Sequence, residues 1–120
     1  ICHFLPYYPS HVAEVLGGLT GHDYTPQELL AVGERAQTLC RLFNLREGFT
    51  EEDDRMPRRV MKAFKEGPLA GVEITQEMFL NARNHWYGLM GWSEAGVPTA
   101  ERLQSLELTE ILDGMEFVTA

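Results

Sequence analysis

The clearest pattern along the chain is a long run of apolar side chains at helical spacing. Thr25, Pro26 and Glu28 match a capping box with proline at the first helical position, and Gly48 fits the residue that follows a helix C-terminus. The pattern therefore predicts a central helix that ends near Arg46 or Glu47. Its expected buried face contains Leu29, Val32, Ala36, Leu39, Cys40 and Phe43, widened by Leu42 and Leu45.

Shorter periodic segments flank this helix. Their expected bounds are Ser10 to about Leu19, Pro57 to Phe64, Thr75 to Gly91, and Thr99 to Leu106, with another turn or two in residues 109–120. Gly91 and Trp92 are expected to close the third of these in a Schellman turn. No segment of useful length alternates apolar and polar residues as a strand does. The predicted fold class is all-α, an irregular bundle of about five helices forming a single domain over residues 1–120.

Composition narrows the function classes. The chain has 120 residues, 44% of them hydrophobic, and a formal net charge of −8, which disfavours nucleic-acid binding. No apolar run approaches the roughly 18–20 residues that span a bilayer, so no membrane segment is expected. Cys2 and Cys40 do not form a disulfide framework, which favours a reduced, cytoplasmic setting. The sequence begins with apolar residues and without methionine, so we expect this chain to be a fragment of a larger protein.

Candidate chemistry is sparse when the residues are considered alone. The four histidines (His3, His11, His22 and His85) show no paired ligand spacing. The acids at 51–54 could bind a divalent cation, but the favoured interpretation is an ion-pair network with the basic residues around them, namely Arg46, Arg55, Arg58, Arg59, Lys62 and Lys65. Cys40 is expected to be a buried apolar thiol. These residues predict a helical domain without an identifiable catalytic residue.

Three stretches nevertheless resemble one known family. They are TGHDYTPQEL at 20–29, GERAQTLCRLFNLREGFTEEDDRMPRRVM at 33–61 and YGLMGWSEAGVPTAERLQSLEL at 87–108. Their order and spacing resemble the C-terminal domain of the aldehyde ferredoxin oxidoreductase family, except that Met90 stands where arginine is common. Within the central stretch, the matching positions include Arg41, Asn44, Asp54 and Arg59.

The resemblance implies a chemistry that the residues alone do not. Enzymes of this family hold tungsten, or sometimes molybdenum, between two pterin dithiolenes beside a [4Fe–4S] cluster. They oxidise aldehydes to carboxylic acids and pass electrons to ferredoxin. Ile1 and Cys2 fit the end of a D-x-x-G-L-C segment, which makes Cys2 the expected fourth cluster ligand and places both residues near the pterin. Because the other three cluster cysteines belong to another domain, the isolated chain is expected to be metal-free and inactive.

A non-catalytic helical interaction module is the alternative interpretation. A domain taken from a larger enzyme should expose an apolar patch where the remaining domains packed. We expect that patch around Phe4, Tyr7, Tyr8 and the turn from Leu42 to Leu45, with self-association into a homo-oligomer as its symptom.

Overall fold

The computed structural model describes residues 6–112, which form four α-helices and one 3₁₀ turn. The elements are α1 (Pro9–Thr20), α2 (Pro26–Arg46), α3 (Gln76–Met90), α4 (Ala100–Ser105) and the 3₁₀ turn Thr109–Leu112. Strand pairing in this part of the chain is limited to two isolated bridges. The all-α prediction is therefore confirmed. None of the described helices is long and apolar enough to cross a membrane.

Local capping fixes the starts of three helices at the predicted residues. In α2 the Glu28 amide donates to Thr25 Oγ1 at 3.2 Å, and Glu28 Oε2 accepts from the Thr25 amide at 2.7 Å. Thr75 and Thr99 accept from the third amides of α3 and α4 at 3.1 and 3.2 Å. These bonds satisfy amide groups that have no partner within the helix, so the short sequence pattern is sufficient to set each start.

The end of α3 also follows the prediction. Gly91 has a φ of +69°, a left-handed conformation that glycine adopts without steric cost. The Gly91 amide donates to the Gly88 carbonyl at 3.1 Å, and the Trp92 amide donates to the Tyr87 carbonyl at 2.8 Å. This pair of bonds is a Schellman turn, and it directs the following loop back along α3.

Two predictions about helices are wrong. Ser10 is the predicted N-cap of α1, but the helix begins at Pro9 with Tyr8 as its N-cap, because proline lacks an amide proton and suits the first helical position. The helix predicted from Pro57 to Phe64 is absent, and that segment forms turns. Its apolar side chains contact little, with Phe64 58% exposed, and a short helix without packing is marginal in water.

The predicted buried face of α2 is confirmed in part: Leu42 and Leu45 are buried as predicted, but Val32 and Phe43 are not. The side that this chain buries contains Thr38, Arg41, Leu42 and Leu45, and on the opposite side Val32 and Phe43 are 61% and 54% exposed. The reason is that the neighbours of α2 within this chain pack against the side carrying Leu42. There Leu42 forms a small core with Leu103, Leu106 and Leu108.

Arg102 joins α4 to two other helices by an ion pair and a hydrogen bond. Arg102 of α4 pairs with Glu34 of α2 at 2.5 Å, and its Nε donates to the Met90 carbonyl at the end of α3 at 3.0 Å. The helices nevertheless enclose little volume. The radius of gyration is 18.3 Å and the smallest extent is 20 Å, whereas a compact chain of this length would have a radius of about 14 Å. The described residues therefore form a flat slab with a thin core.

Candidate functional site

The acidic turn, residues 47–54, redirects the chain after α2. Gly48 has a φ of +88°, which ends the helix. The Thr50 amide then donates to Asp53 Oδ2 at 2.9 Å, and the Asp53 amide donates back to the Thr50 carbonyl at 3.1 Å. This local turn brings the last acid of the run, Asp54, back against α2.

Arg41 and Asp54 form the centre of the site. Arg41 Nη1 donates to Asp54 Oδ2 at 2.6 Å, and Arg41 Nε donates to the Gly96 carbonyl at 2.8 Å. The Arg41 side chain is only 6% exposed, whereas that of Asp54 is 36% exposed. A buried guanidinium requires a partner charge and hydrogen-bond acceptors. These contacts supply them to Nη1 and Nε, while the buried Nη2 has no hydrogen-bond partner among the described residues.

Tyr87 of α3 completes the arrangement. Its hydroxyl donates to the same Oδ2 atom of Asp54, so one carboxylate oxygen accepts from both the guanidinium and the phenol. Burial, followed by the hydrogen bond to Asp54, raises the pKa of Tyr87 to about 12. The phenol therefore stays protonated at neutral pH and acts as a fixed donor.

Aromatic rings surround the Arg41 guanidinium. Its central carbon lies 5.6 Å from the ring centroids of both Tyr87 and Trp92, and those rings are 5.8 Å apart. Arg83 approaches the Tyr87 ring at 5.4 Å and donates from Nη1 to the Glu51 carbonyl at 2.8 Å. These contacts are favourable because the face of an aromatic ring attracts a cation placed above it. They attach the acidic turn to α3 as well as to α2.

Gly96 allows the loop after α3 to approach this centre. Its φ is +70°, and a Cβ atom at this position would lie 2.9 Å from Tyr87 Cζ and 3.0 Å from Arg41 Cζ. Only a residue without a side chain fits here without displacing the buried pair. We call Arg41, Asp54, Tyr87, Trp92 and Gly96 the Arg41 cluster.

The Arg41 cluster corrects the predicted ion-pair network. Of the acids at 51–54, Asp54 pairs with Arg41 of α2, and Arg83 of α3 donates to the main-chain carbonyl of Glu51. In the part of the chain that the structure describes, none of the five basic residues between 55 and 65 forms an ion pair, and Arg46 pairs with Glu47 at 2.8 Å. Reasoning from sequence neighbours missed Arg41 and Tyr87. The sequence did contain one indication of this buried charge, because Arg41 lies between Leu39 and Leu42 on an otherwise apolar turn of the helix.

A cleft of about 550 Å³ lies above the cluster, between α2, α3 and the acidic turn. Cys40 lines it and is an exposed free thiol, so the prediction of a buried thiol is wrong for this chain. At the base of the cleft Arg41 and Asp54 are paired with each other, and they lack the nucleophile–base arrangement of a hydrolytic site. The cleft is thus built around a structural ion pair.

The predicted cofactor residues are not among those described. Ile1 and Cys2, and also Phe4 of the expected apolar patch, lie outside residues 6–112. Within that range no three His, Cys, Asp or Glu side chains lie close enough together to hold a metal ion. Of the remaining patch residues, Tyr7 and Tyr8 are exposed as expected, whereas Leu42 and Leu45 are buried.

Comparison with known proteins identifies the family. Residues 1–108 match the model of aldehyde ferredoxin oxidoreductase domains 2 and 3. The chain is 33% identical over 99 residues to the tungsten-containing aldehyde ferredoxin oxidoreductase of Pyrococcus furiosus, covering 81% of this chain and 16% of that relative. The enzyme of the same name from Pyrococcus abyssi is 32% identical over 101 residues, which cover 82% of this chain and 16% of the relative.

A solved structure supports the fold. The active-site complex BamBC of benzoyl coenzyme A reductase, in complex with 1,5-dienoyl-CoA, superimposes with a TM-score of 0.71 over 92% of this chain and 15% of its own, at 24% identity. The chain spans about one sixth of the length of the curated relatives that it matches. The family match covers nine tenths of the chain. The chain therefore belongs to the aldehyde ferredoxin oxidoreductase family.

Proposed function

We propose that this chain is the C-terminal helical domain of a cytoplasmic enzyme that oxidises aldehydes to carboxylic acids and passes the electrons to ferredoxin. The observation that carries the proposal is the family match over residues 1–108, together with relatives that are tungsten-containing enzymes. The cofactors of the proposed enzyme are a tungsten or molybdenum bis-pterin and a [4Fe–4S] cluster. When bound, the metal supplies the two-electron oxidation of the aldehyde.

The described residues fit a supporting role in that enzyme. Within residues 6–112 no three His, Cys, Asp or Glu side chains could together hold a metal ion. The described residues supply a surface formed by several segments that are fixed to one another. The Arg41 cluster joins α2, the acidic turn, α3 and the loop at Gly96 through contacts to one buried guanidinium. A protein surface can position a cofactor only if the segments that form it keep a constant geometry.

Cys2 is the residue that we propose as a cofactor ligand. Its position matches the last residue of the family segment that donates the fourth thiolate to the [4Fe–4S] cluster, and Ile1 precedes it in that segment. Such clusters are typically held by four cysteine thiolates. The other three would come from another domain of the same polypeptide. The isolated chain is accordingly expected to hold no cluster and to be inactive.

The test compares two cysteine substitutions in the full-length protein. We expect Cys2→Ser to lose iron and the visible absorption of the cluster, whereas Cys40→Ser, the matched control, keeps both. Iron, tungsten and molybdenum contents are measured together with reduction of ferredoxin by small aldehydes. A full cluster in the Cys2 variant would contradict the ligand assignment. A folded full-length protein without tungsten, molybdenum or iron would favour the alternative, a non-catalytic interaction module.

A further inference from the structure

Helix α2 is apolar on two opposite sides, and this chain covers only one of them. The covered side carries Leu42 and Leu45, which are 3% and 8% exposed. The other side carries Val32, Ala36, Cys40 and Phe43, all of which are exposed. We call these four residues the uncovered face. At 100° per residue, the two sides are centred roughly 150° apart around the helix.

The spacing of the uncovered face is that of a helix contact. Val32, Ala36 and Cys40 follow one another at four-residue intervals and form a single ridge, and Phe43 lies three residues further on. The large side chains are at the two ends of this ridge, and the small ones, Ala36 and Cys40, are in the middle. Small central residues let another helix approach to the 8–10 Å at which helices pack.

Exposure of such a face to water is unfavourable. An apolar helix face is normally enclosed by protein, because removing apolar surface from water is favourable. Val32 and Phe43 are more than half exposed. Cys40 borders the cleft shared with α3, and Val32 borders a smaller cleft shared with the end of α4, so these two helices approach the edges of this side without covering it. The described residues are flat, only 20 Å in their smallest extent, which also indicates that they leave this side of α2 uncovered.

We infer that the uncovered face is covered by an apolar helix from another domain of the same polypeptide, crossing α2 at Ala36 and Cys40. The length of the family members supports this occupant, because the chain spans about one sixth of its relatives. The inference rests on the proposed function, in so far as that function requires a larger enzyme.

Cys40 is a native reporter for this contact, because it belongs to the uncovered face. In the full-length protein we expect its alkylation by iodoacetamide to be at least tenfold slower than that of a thiol introduced by Gln27→Cys. Gln27 is exposed and lies on the opposite side of the same helix. Rates at the two positions are read from the corresponding peptides by mass spectrometry, and urea-unfolded protein gives the unprotected rate. Equal rates at the two thiols in the native protein would overturn the inference.

The occupant is identified by dilution of the purified full-length protein to its monomer, verified by sedimentation. Protection of Cys40 that persists in the monomer supports a helix of the same polypeptide. Protection that disappears on dilution would overturn the inference in favour of a second copy. The experiment does not depend on the cofactor. A tungsten-containing enzyme with a reactive Cys40 would leave the proposed function standing, and a metal-free protein with a protected Cys40 would leave this inference standing.

Discussion

Arg41 and Asp54 meet at 2.6 Å in an ion pair whose two members differ in their access to water. The Arg41 side chain is 6% exposed, and the Asp54 side chain is 36% exposed. Loss of Asp54 would leave a buried cation without its counter-charge, whereas loss of Arg41 would leave an anion that water can reach. The two partners are therefore unequal in what their removal costs.

The first prediction follows from this inequality. We expect Asp54→Ala to lower the free energy of unfolding of the chain by about 3–5 kcal/mol, as removal of one partner of a buried pair does. Arg41→Met, which keeps an apolar stem of similar length, should cost less, about 1–3 kcal/mol. Urea unfolding followed by circular dichroism measures both. Equal losses in the two variants would mean that water reaches Arg41 as readily as Asp54.

The second prediction concerns the close approach at Gly96. Gly21 and Gly96 have similar positive φ values, +75° and +70°, but a Cβ atom at Gly21 would meet nothing within 4 Å. We expect Gly21→Ala to lower the free energy of unfolding by about 1–2 kcal/mol, because alanine is strained in the left-handed conformation. Gly96→Ala should cost a further 1–3 kcal/mol or so, because its methyl group overlaps Arg41 and Tyr87. Thermal unfolding of the two variants side by side tests the difference, and a matching loss of stability would argue against tight packing at Gly96.

The third prediction separates the two sides of α2. In the 120-residue chain, Leu42→Ala should lower the free energy of unfolding by about 2–5 kcal/mol, because Leu42 is 3% exposed and belongs to the small core. Phe43→Ala should cost less than about 1 kcal/mol, since its ring is 54% exposed. The measurement is urea unfolding of both variants. The opposite ranking would restore the buried face that periodicity predicted.

The fourth prediction is a loss of stability at alkaline pH. The pKa of Tyr87 is raised from 10.0 to about 12, so between these values the folded chain keeps a proton that the unfolded chain releases. Stability from this group is therefore complete below about pH 10 and is lost as pH rises towards 12.

Tyr87→Phe is the control for this effect. The variant loses the hydrogen bond to Asp54, but its stability should fall less steeply between pH 10 and 12 because the titrating group is gone. Urea unfolding at several pH values compares the two slopes. Parallel slopes in the wild-type chain and the variant would show that Tyr87 does not titrate differently on folding.

Features that depend on a few neighbouring residues could be read from the sequence. The capping box at Thr25 and the Schellman turn at Gly91 are each made by groups less than two turns apart, so a short motif carries all the necessary chemistry. The family could be recognised for a similar reason, since its motifs are local and ordered along the chain. The prediction of a helix after Pro57 was wrong because a short helix needs packing partners, and a short apolar pattern carries no information about them.

The helical class, the caps of α2, α3 and α4, and the family to which the chain belongs could all be inferred from the order of the amino acids. Which side of α2 is buried and which charges pair became known from the folded structure. Arg41 bonds to residues 13 and 55 positions away, at Asp54 and Gly96, and no pattern within a helical turn encodes those partners. The physical reason is that burial depends on neighbours distant in sequence. Because α2 is apolar on both sides, its periodicity could not say which side this chain would cover.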